Sequence, residues 1–189
     1  MMVLLGNDYR MIGIDNSEDA IMFCSQKGFA ERVIRGDISS LPFMDGYFDG
    51  VLSLDVLYHQ WVPDDLQALR EMYRVLKPNG RLFIQVPAFE WLRSDHDEWA
   101  LSRRRYTAKE LTDLLVAAGF QNNKVGYRVF FLFPAAIVRR LLFKTSGSDL
   151  KDMNPFLNAL LKKVVQTENL LAPLMRFPFG LSVFGVAEK

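Results

Sequence analysis

Gly36-Asp37-Ile38-Ser39-Ser40-Leu41-Pro42-Phe43, Phe48-Asp49-Gly50-Val51-Leu52-Ser53-Leu54-Asp55 and Val75-Leu76-Lys77-Pro78-Asn79-Gly80-Arg81-Leu82-Phe83-Ile84 punctuate one run of the chain, Arg35 to Ala88. The middle stretch is apolar and ends in an acid, the pattern of a strand buried in a parallel sheet. The last leaves a helix, breaks at Pro78 and Gly80, and re-enters as a strand over Arg81 to Val86. These stretches predict successive strands of one α/β sheet with polar residues at their carboxyl ends, where ligands of open α/β sheets bind.

Upstream, Met11-Ile12-Gly13-Ile14-Asp15 repeats the apolar-run-then-acid pattern. Asn16-Ser17 offers an N-cap, and Glu18 and Asp19 suit the first turn of a helix that runs to Lys27 and stops at Gly28. Val33 to Asp37 predicts a second strand, again ending in an acid. Downstream, Asp64 to Leu76 is an amphipathic helix, with Leu66, Leu69, Met72 and Leu76 at helical spacing. Pro87 to Arg105 loses periodicity but holds two tryptophans, a histidine and several acids, which suggests a binding loop. Thr107 caps a helix from Ala108 to Ala118, ended by Gly119. Gln121 to Phe133 reads as a further strand with an apolar tail. Ala135 to Lys144 and Met153 to Leu174 read as apolar helices, and Phe179 to Ala187 as a last strand.

The chain has 189 residues, half of them hydrophobic, and a formal net charge of +1. That balance predicts one domain, residues 1–189, and gives no electrostatic argument for nucleic acid. Cys24 is the single cysteine, which fits a reducing compartment and a packing role. No apolar run approaches the ~20 residues of a spanning helix, and no leader is evident in Met1 to Leu5. A cytoplasmic location is expected.

The Leu41-Pro42-Phe43 and Lys77-Pro78-Asn79-Gly80 landmarks, with the strand between them, resemble a class I S-adenosylmethionine-dependent methyltransferase of the type 11 methyltransferase-domain kind. The resemblance implies a Rossmann-like, doubly wound, mostly parallel sheet with an antiparallel last strand, and S-adenosylmethionine as cofactor. It implies that Asp15, with Asn16, meets the ribose hydroxyls. Asp37 would meet the adenine amino group and Ile38 the ring edge. Leu54 and Asp55 would line the methionine end. His59 and His96 are the candidate bases, and Tyr58, Trp91, Arg105 and Tyr106 the candidate substrate contacts. Plain alternatives stand beside these roles: strand-end acids also cap helices, and the acids and arginines of 95–105 also pair with one another to hold a loop. No second ligand cluster accompanies Asp95, His96 and Asp97, so no metal is expected.

The family opens with a strand and a glycine-rich loop whose backbone approaches the cofactor. No such motif stands before Met11, and a parallel pair needs a crossover of a dozen or more residues. The sheet is therefore expected to lack its first strand, leaving open edges, in a shortened enzyme or a degenerate relative. Residues 134–175 are expected to be a helical insertion before the last strand. Its apolar faces and Arg139, Arg140, Lys144, Lys162 and Lys163 suit core packing, a peripheral membrane contact or a homodimer contact. The functions that follow are methyl transfer to a small-molecule, lipid or glycan acceptor, or a non-catalytic interaction module. A nicotinamide oxidoreductase shares the acid after the strand but not the other landmarks.

Overall fold

A computed structural model describes residues 8–142, 155–172 and 175–189, with the side chains of 96, 139–142 and 155–157 outside that description. The strands are β1 Gly13–Asp15, β2 Val33–Arg35, β3 Phe48–Leu54, β4 Leu76–Pro87, β5 Gln121–Arg128 and β6 Ser182–Glu188. The helices are α1 Glu18–Cys24, α2 Asp65–Val75, α3 Asp95–Trp99, α4 Ala108–Ala117, α5 Phe133–Leu142 and α6 Pro155–Leu171.

β4 is the axis of the larger sheet, whose order is β3-β4-β6-β5. Its alternation is strict: Leu82, Ile84, Val86 and Ala88 are buried while the residues between them are partly or fully exposed, as a period-2 strand demands. β3 pairs with it in parallel, and β6 pairs antiparallel with both β4 and β5. The antiparallel last strand is thus as expected, and β4 is its additional partner. Ala68, Leu69, Met72 and Val75 of α2 and Leu111 and Leu115 of α4 are buried, the first three of α2 and both of α4 in one cluster with β4. Every CH₂ withdrawn from water there contributes roughly 0.8 kcal/mol.

Local signals set the helix ends. Asp64 accepts N–H bonds from Leu66 and Gln67 at the start of α2. Thr107 and Glu110 form a reciprocal capping box on α4, which satisfies donors that a helix start leaves unpaired. Ser17 caps α1 through Ala20 N–H, but α1 is shorter than the sequence suggests. Past Cys24 the chain widens through Ser25–Phe29, and Gly28 takes φ 84°, a left-handed conformation that residues with a side chain adopt only under strain.

Lys77-Pro78-Asn79-Gly80 is not a break before the strand but a bulge within β4. Pairing with β3 jumps from Phe48↔Leu76 to Gly50↔Arg81. Asn79 sits at φ 63°, and a Cβ on Gly80 would lie 2.8 Å from the Lys77 carbonyl oxygen. The predicted tail of β5 is also corrected. The strand ends at Arg128, Val129 turns out at φ 61°, and Phe133 begins α5. The expected helices fall on Phe133–Leu142 and Pro155–Leu171, while Lys144, Met1 to Leu5 and the start of the second predicted helix at Met153 lie outside the described residues.

β1 and β2 form their own two-stranded parallel sheet, with Asp15 opposite Arg35. Among the described residues β1 pairs only with β2, and β3 only with β4. Among the described residues, the second edge of β1 and that of β3 have no strand partner. Exposure follows: α1 has no buried residue, Met22 and Phe23 face solvent, and so does Leu52 of β3.

Candidate active site

Three acids stand at strand ends. Asp15 ends β1, Asp37 follows β2, and Asp55 follows β3; all three are exposed. Asp15 Oδ1 accepts the Ser17 N–H at 2.9 Å and Asp37 Oδ1 accepts the Ser39 N–H at 2.8 Å. Each carboxylate is thus oriented by the turn after it. Asn16 is exposed beside Asp15.

Side chains of α2 tie the segment after β2 to the larger sheet. Gln67 donates its amide N–H to the Ser39 carbonyl at 3.1 Å, and Glu71 accepts the Leu41 N–H at 2.9 Å. Arg74 donates to the Leu41 and Phe43 carbonyls and to Asp45 and Glu71. Gln67 lies in the first turns of α2, the helix that follows β3. These bonds tie the segment that holds Asp37 to the helix that begins after Asp55. Ile38 is half-buried and packs on the core cluster.

Asp55 adopts φ 57°, and its N–H donates to the Gln85 carbonyl while the Gln85 side-chain amide donates to Oδ2 at 3.0 Å. Although exposed by surface area, the Asp55 carboxyl is partly desolvated by its surroundings, which raises its pKa above the ordinary value, with the Gln85 bond opposing that shift. Leu54 pairs with Gln85 across the ladder. The Tyr58 phenol is also pushed up, first by burial and then by the Asp55 and Asp97 charges, so it stays protonated and donates. His59 accepts the Trp61 N–H on Nδ1 at 3.4 Å and packs its ring 4.7 Å from the indole. With Nδ1 accepting, a neutral His59 carries its proton on Nε2 and presents a donor.

Arg105 and Tyr106, expected to touch substrate, are instead internal supports. Arg105 is buried; Nε and one terminal amine donate to Asp97 at 2.7 and 3.0 Å, and the other donates to the Ala88 carbonyl at 3.0 Å. Tyr106 is fully buried, its hydroxyl donating to Asp65 at 3.0 Å. Burial and then the Asp65 charge drive its pKa far upward. Arg103 and Arg104 pair with the same Asp65. Acids and arginines here do pair to hold the loop. Trp91 is exposed, whereas the side chain of His96 lies outside the described residues. Gln85 was missed in the sequence, although a lone amide inside an apolar strand is the signal that could have found it.

The fold has solved counterparts. A solved S-adenosylmethionine-dependent methyltransferase of Thermotoga maritima superposes with a TM-score of 0.62 at 22% identity, over 94% of this chain and 72% of that one. The methyltransferase-domain family matches residues 1–84. A 37.1 kDa protein of a Streptomyces fradiae transposon is 38% identical over 113 residues, 58% of this chain and 32% of that protein. A probable S-adenosylmethionine-dependent methyltransferase of Mycolicibacterium smegmatis is 30% identical over 114 residues, 59% of this chain and 44% of its own length. The chain thus spans less than half the length of these curated relatives. The chain therefore has the fold of class I S-adenosylmethionine-dependent methyltransferases and is similar in sequence, over part of its length, to members of that class, whose cofactor is S-adenosylmethionine.

The residues present fit the adenosine half of that cofactor. Asp15 ends β1 opposite Arg35 of β2, and Asp37 follows two residues later; both are exposed and oriented by their own turns. Among the described residues no glycine-rich turn opens a helix beside them to receive the amino-acid half.

Proposed function

We propose that this chain is a methyltransferase unit that acts on a small-molecule, lipid or glycan acceptor. The observation that supports this best is that Asp15, Asp37 and Asp55 each stand at or just past the carboxyl end of a strand, with the Ser39–Gln67 bond tying the segment after β2 to the helix after β3. When bound, S-adenosylmethionine supplies a sulfonium methyl group whose carbon–sulfur electron pair stays on sulfur as an acceptor lone pair forms the new bond. Asp15 and Asp37 bind the nucleoside end. Asp55 and Tyr58 face the acceptor, and the gain comes mainly from positioning.

A hydroxyl acceptor must lose a proton, and Asp55 suits that role better than His59. Its carboxyl pKa is raised by partial desolvation, which moves a base toward working pH, whereas His59 Nδ1 is already accepting. Residues 1–189 are read as one cytoplasmic methyltransferase domain with 134–175 as a helical insertion. Exposed Val138, Leu160 and Leu170, with exposed Lys162 and Lys163, favour a peripheral membrane or homodimer contact there.

A second reading, a non-catalytic relative, is favoured by the open edges of β1 and β3. Ultraviolet crosslinking with methyl-tritiated S-adenosylmethionine separates the two. Label in the peptides that hold Asp15, Asp37 or Asp55, displaced by unlabelled cofactor, supports the enzyme. Label that is absent or not displaced supports the second reading.

A further inference from the structure

Two of the chain's tryptophans stand on the loops that leave β3 and β4. Trp61 is 52% exposed and Trp91 64%. A buried-core explanation fails for side chains that keep half their surface in water, where large aromatic groups are normally withdrawn. The two loops are stitched together after Asp55: Gln60 N–H donates to the Leu101 carbonyl and Arg103 N–H to the Tyr58 carbonyl, while within the second loop Arg93 donates to the Ser102 and Arg103 carbonyls.

Each indole has an aromatic backing. Trp61 lies against His59 with centroids 4.7 Å apart. Trp91 lies 5.8 Å from Phe89 and meets Phe133 edge-on at 6.0 Å. Phe89 is itself stacked on Tyr127 at 5.0 Å and 17°, and the Tyr127 hydroxyl accepts the Ala108 N–H. Phe89 holds φ 56°, a conformation costly for a bulky residue, and its N–H and carbonyl are both engaged, with Tyr106 and Leu92. A strained, doubly anchored residue two positions past β4 fixes this wall in place.

Charge decides what the wall takes. Arg93 is paired with Glu90, Arg103 with Asp65, Arg104 with Asp65 and Glu110, and Arg105 with Asp97. The loops therefore carry arginines already neutralised by carboxylates, and they offer π-faces beside them. An anionic head group would have to break those pairs.

We infer that Trp61 and Trp91, with Phe89 behind Trp91, form the acceptor subsite, and that it takes an uncharged, flat aromatic molecule such as a phenol of two fused rings. This rests on the methyltransferase reading of the same end of the fold. Offset and edge-on ring contacts account for recognition of such a body, and its hydroxyl would reach toward Asp55 and Tyr58.

Calorimetric titration of the full chain with 2-naphthol, 2-naphthyl phosphate and tetramethylammonium tests it. Saturable 2-naphthol binding is expected. It should weaken about tenfold in Trp91→Ala and in Trp61→Ala, and stay unchanged in Phe23→Ala, an exposed aromatic on α1. Circular dichroism confirms that each variant folds. No saturable 2-naphthol binding, equal or tighter binding of the phosphate or of the ammonium ion, or indifference to both tryptophan variants overturns the inference. A parallel titration with S-adenosylhomocysteine distinguishes the failures. Cofactor product bound without 2-naphthol removes only the acceptor class; 2-naphthol bound without cofactor product removes the methyltransferase reading.

Discussion

The Gln67 amide donates to the Ser39 carbonyl at 3.1 Å, and this bond joins the segment that carries Asp37 to the helix that follows Asp55. Beside it, Arg74 grips the Leu41 and Phe43 carbonyls. One face of α2 thus holds the segment that connects the small sheet to the large one.

Removing that grip should loosen both stability and cofactor binding. Arg74→Ala leaves the Leu41 and Phe43 carbonyls without a charged donor, and is expected to cost about 1–3 kcal/mol in urea unfolding. Affinity for S-adenosylhomocysteine should fall with it, because Asp37 hangs on the same segment. A variant as stable as the parent would show that the segment is held by other contacts.

The buried Asp97–Arg105 pair carries a pH signature. Burial raises the Asp97 carboxyl pKa, but bonds from Arg105 and from the Ser94 N–H outweigh it, so the value lies below the ordinary 3.8. A carboxyl depressed in the folded state contributes stability that is present above its ordinary pKa and lost as pH falls through the depressed one. Asp97→Asn strands a buried guanidinium and should cost about 3–5 kcal/mol near neutral pH. Unfolding in urea at neutral pH and below 3.8 should show the gap between variant and parent narrowing in acid. A constant gap would contradict the assignment.

Glu168 of α6 is 2% exposed and accepts the N–H groups of Val129 and Phe131. It holds the corner where β5 turns out of the sheet. Glu168→Ala leaves both donors unpaired and should cost about 1–3 kcal/mol. Glu168→Gln, which keeps one acceptor oxygen, should cost less. Thermal melts of the two variants check the order.

The inner edges of β1 and β3 predict a pattern of amide exchange. Amides of β3 that point away from β4 should exchange nearly as fast as in an unfolded chain, as should those of β1 that point away from β2, while β4 amides stay protected. Native-state hydrogen exchange reads this residue by residue. Uniform protection along β3 would mean that its free side is covered.

The features legible in the sequence were those written locally. Acids after apolar runs marked the ends of β1, β2 and β3, and Ser17, Asp64 and Thr107 marked helix starts by the chemistry of capping. Where the outcome depended on distant residues, the local signal misled. Val129-Phe130-Phe131 reads as strand, since nothing in a β-branched residue announces φ 61°; the anchor that turns it is Glu168, far along the chain. Arg105 and Tyr106 look like binding residues in a polar loop, and only their tertiary partners Asp97 and Asp65 reveal them as buried supports. The tilt of Trp91 over Phe89 likewise depends on Phe133 and Tyr127, which the sequence places in other elements.

Calorimetric titration of the 189-residue chain with S-adenosylhomocysteine, alongside Asp15→Ala and Cys24→Ala, tests the central claim most directly. Asp15 should hold the ribose, so the chain is expected to bind in the micromolar range, the Asp15 variant at least about tenfold more weakly, and the half-buried Cys24 variant unchanged. Binding that is absent in a folded chain, or equal in the Asp15 variant, would contradict a cofactor site built on the ends of β1 and β2.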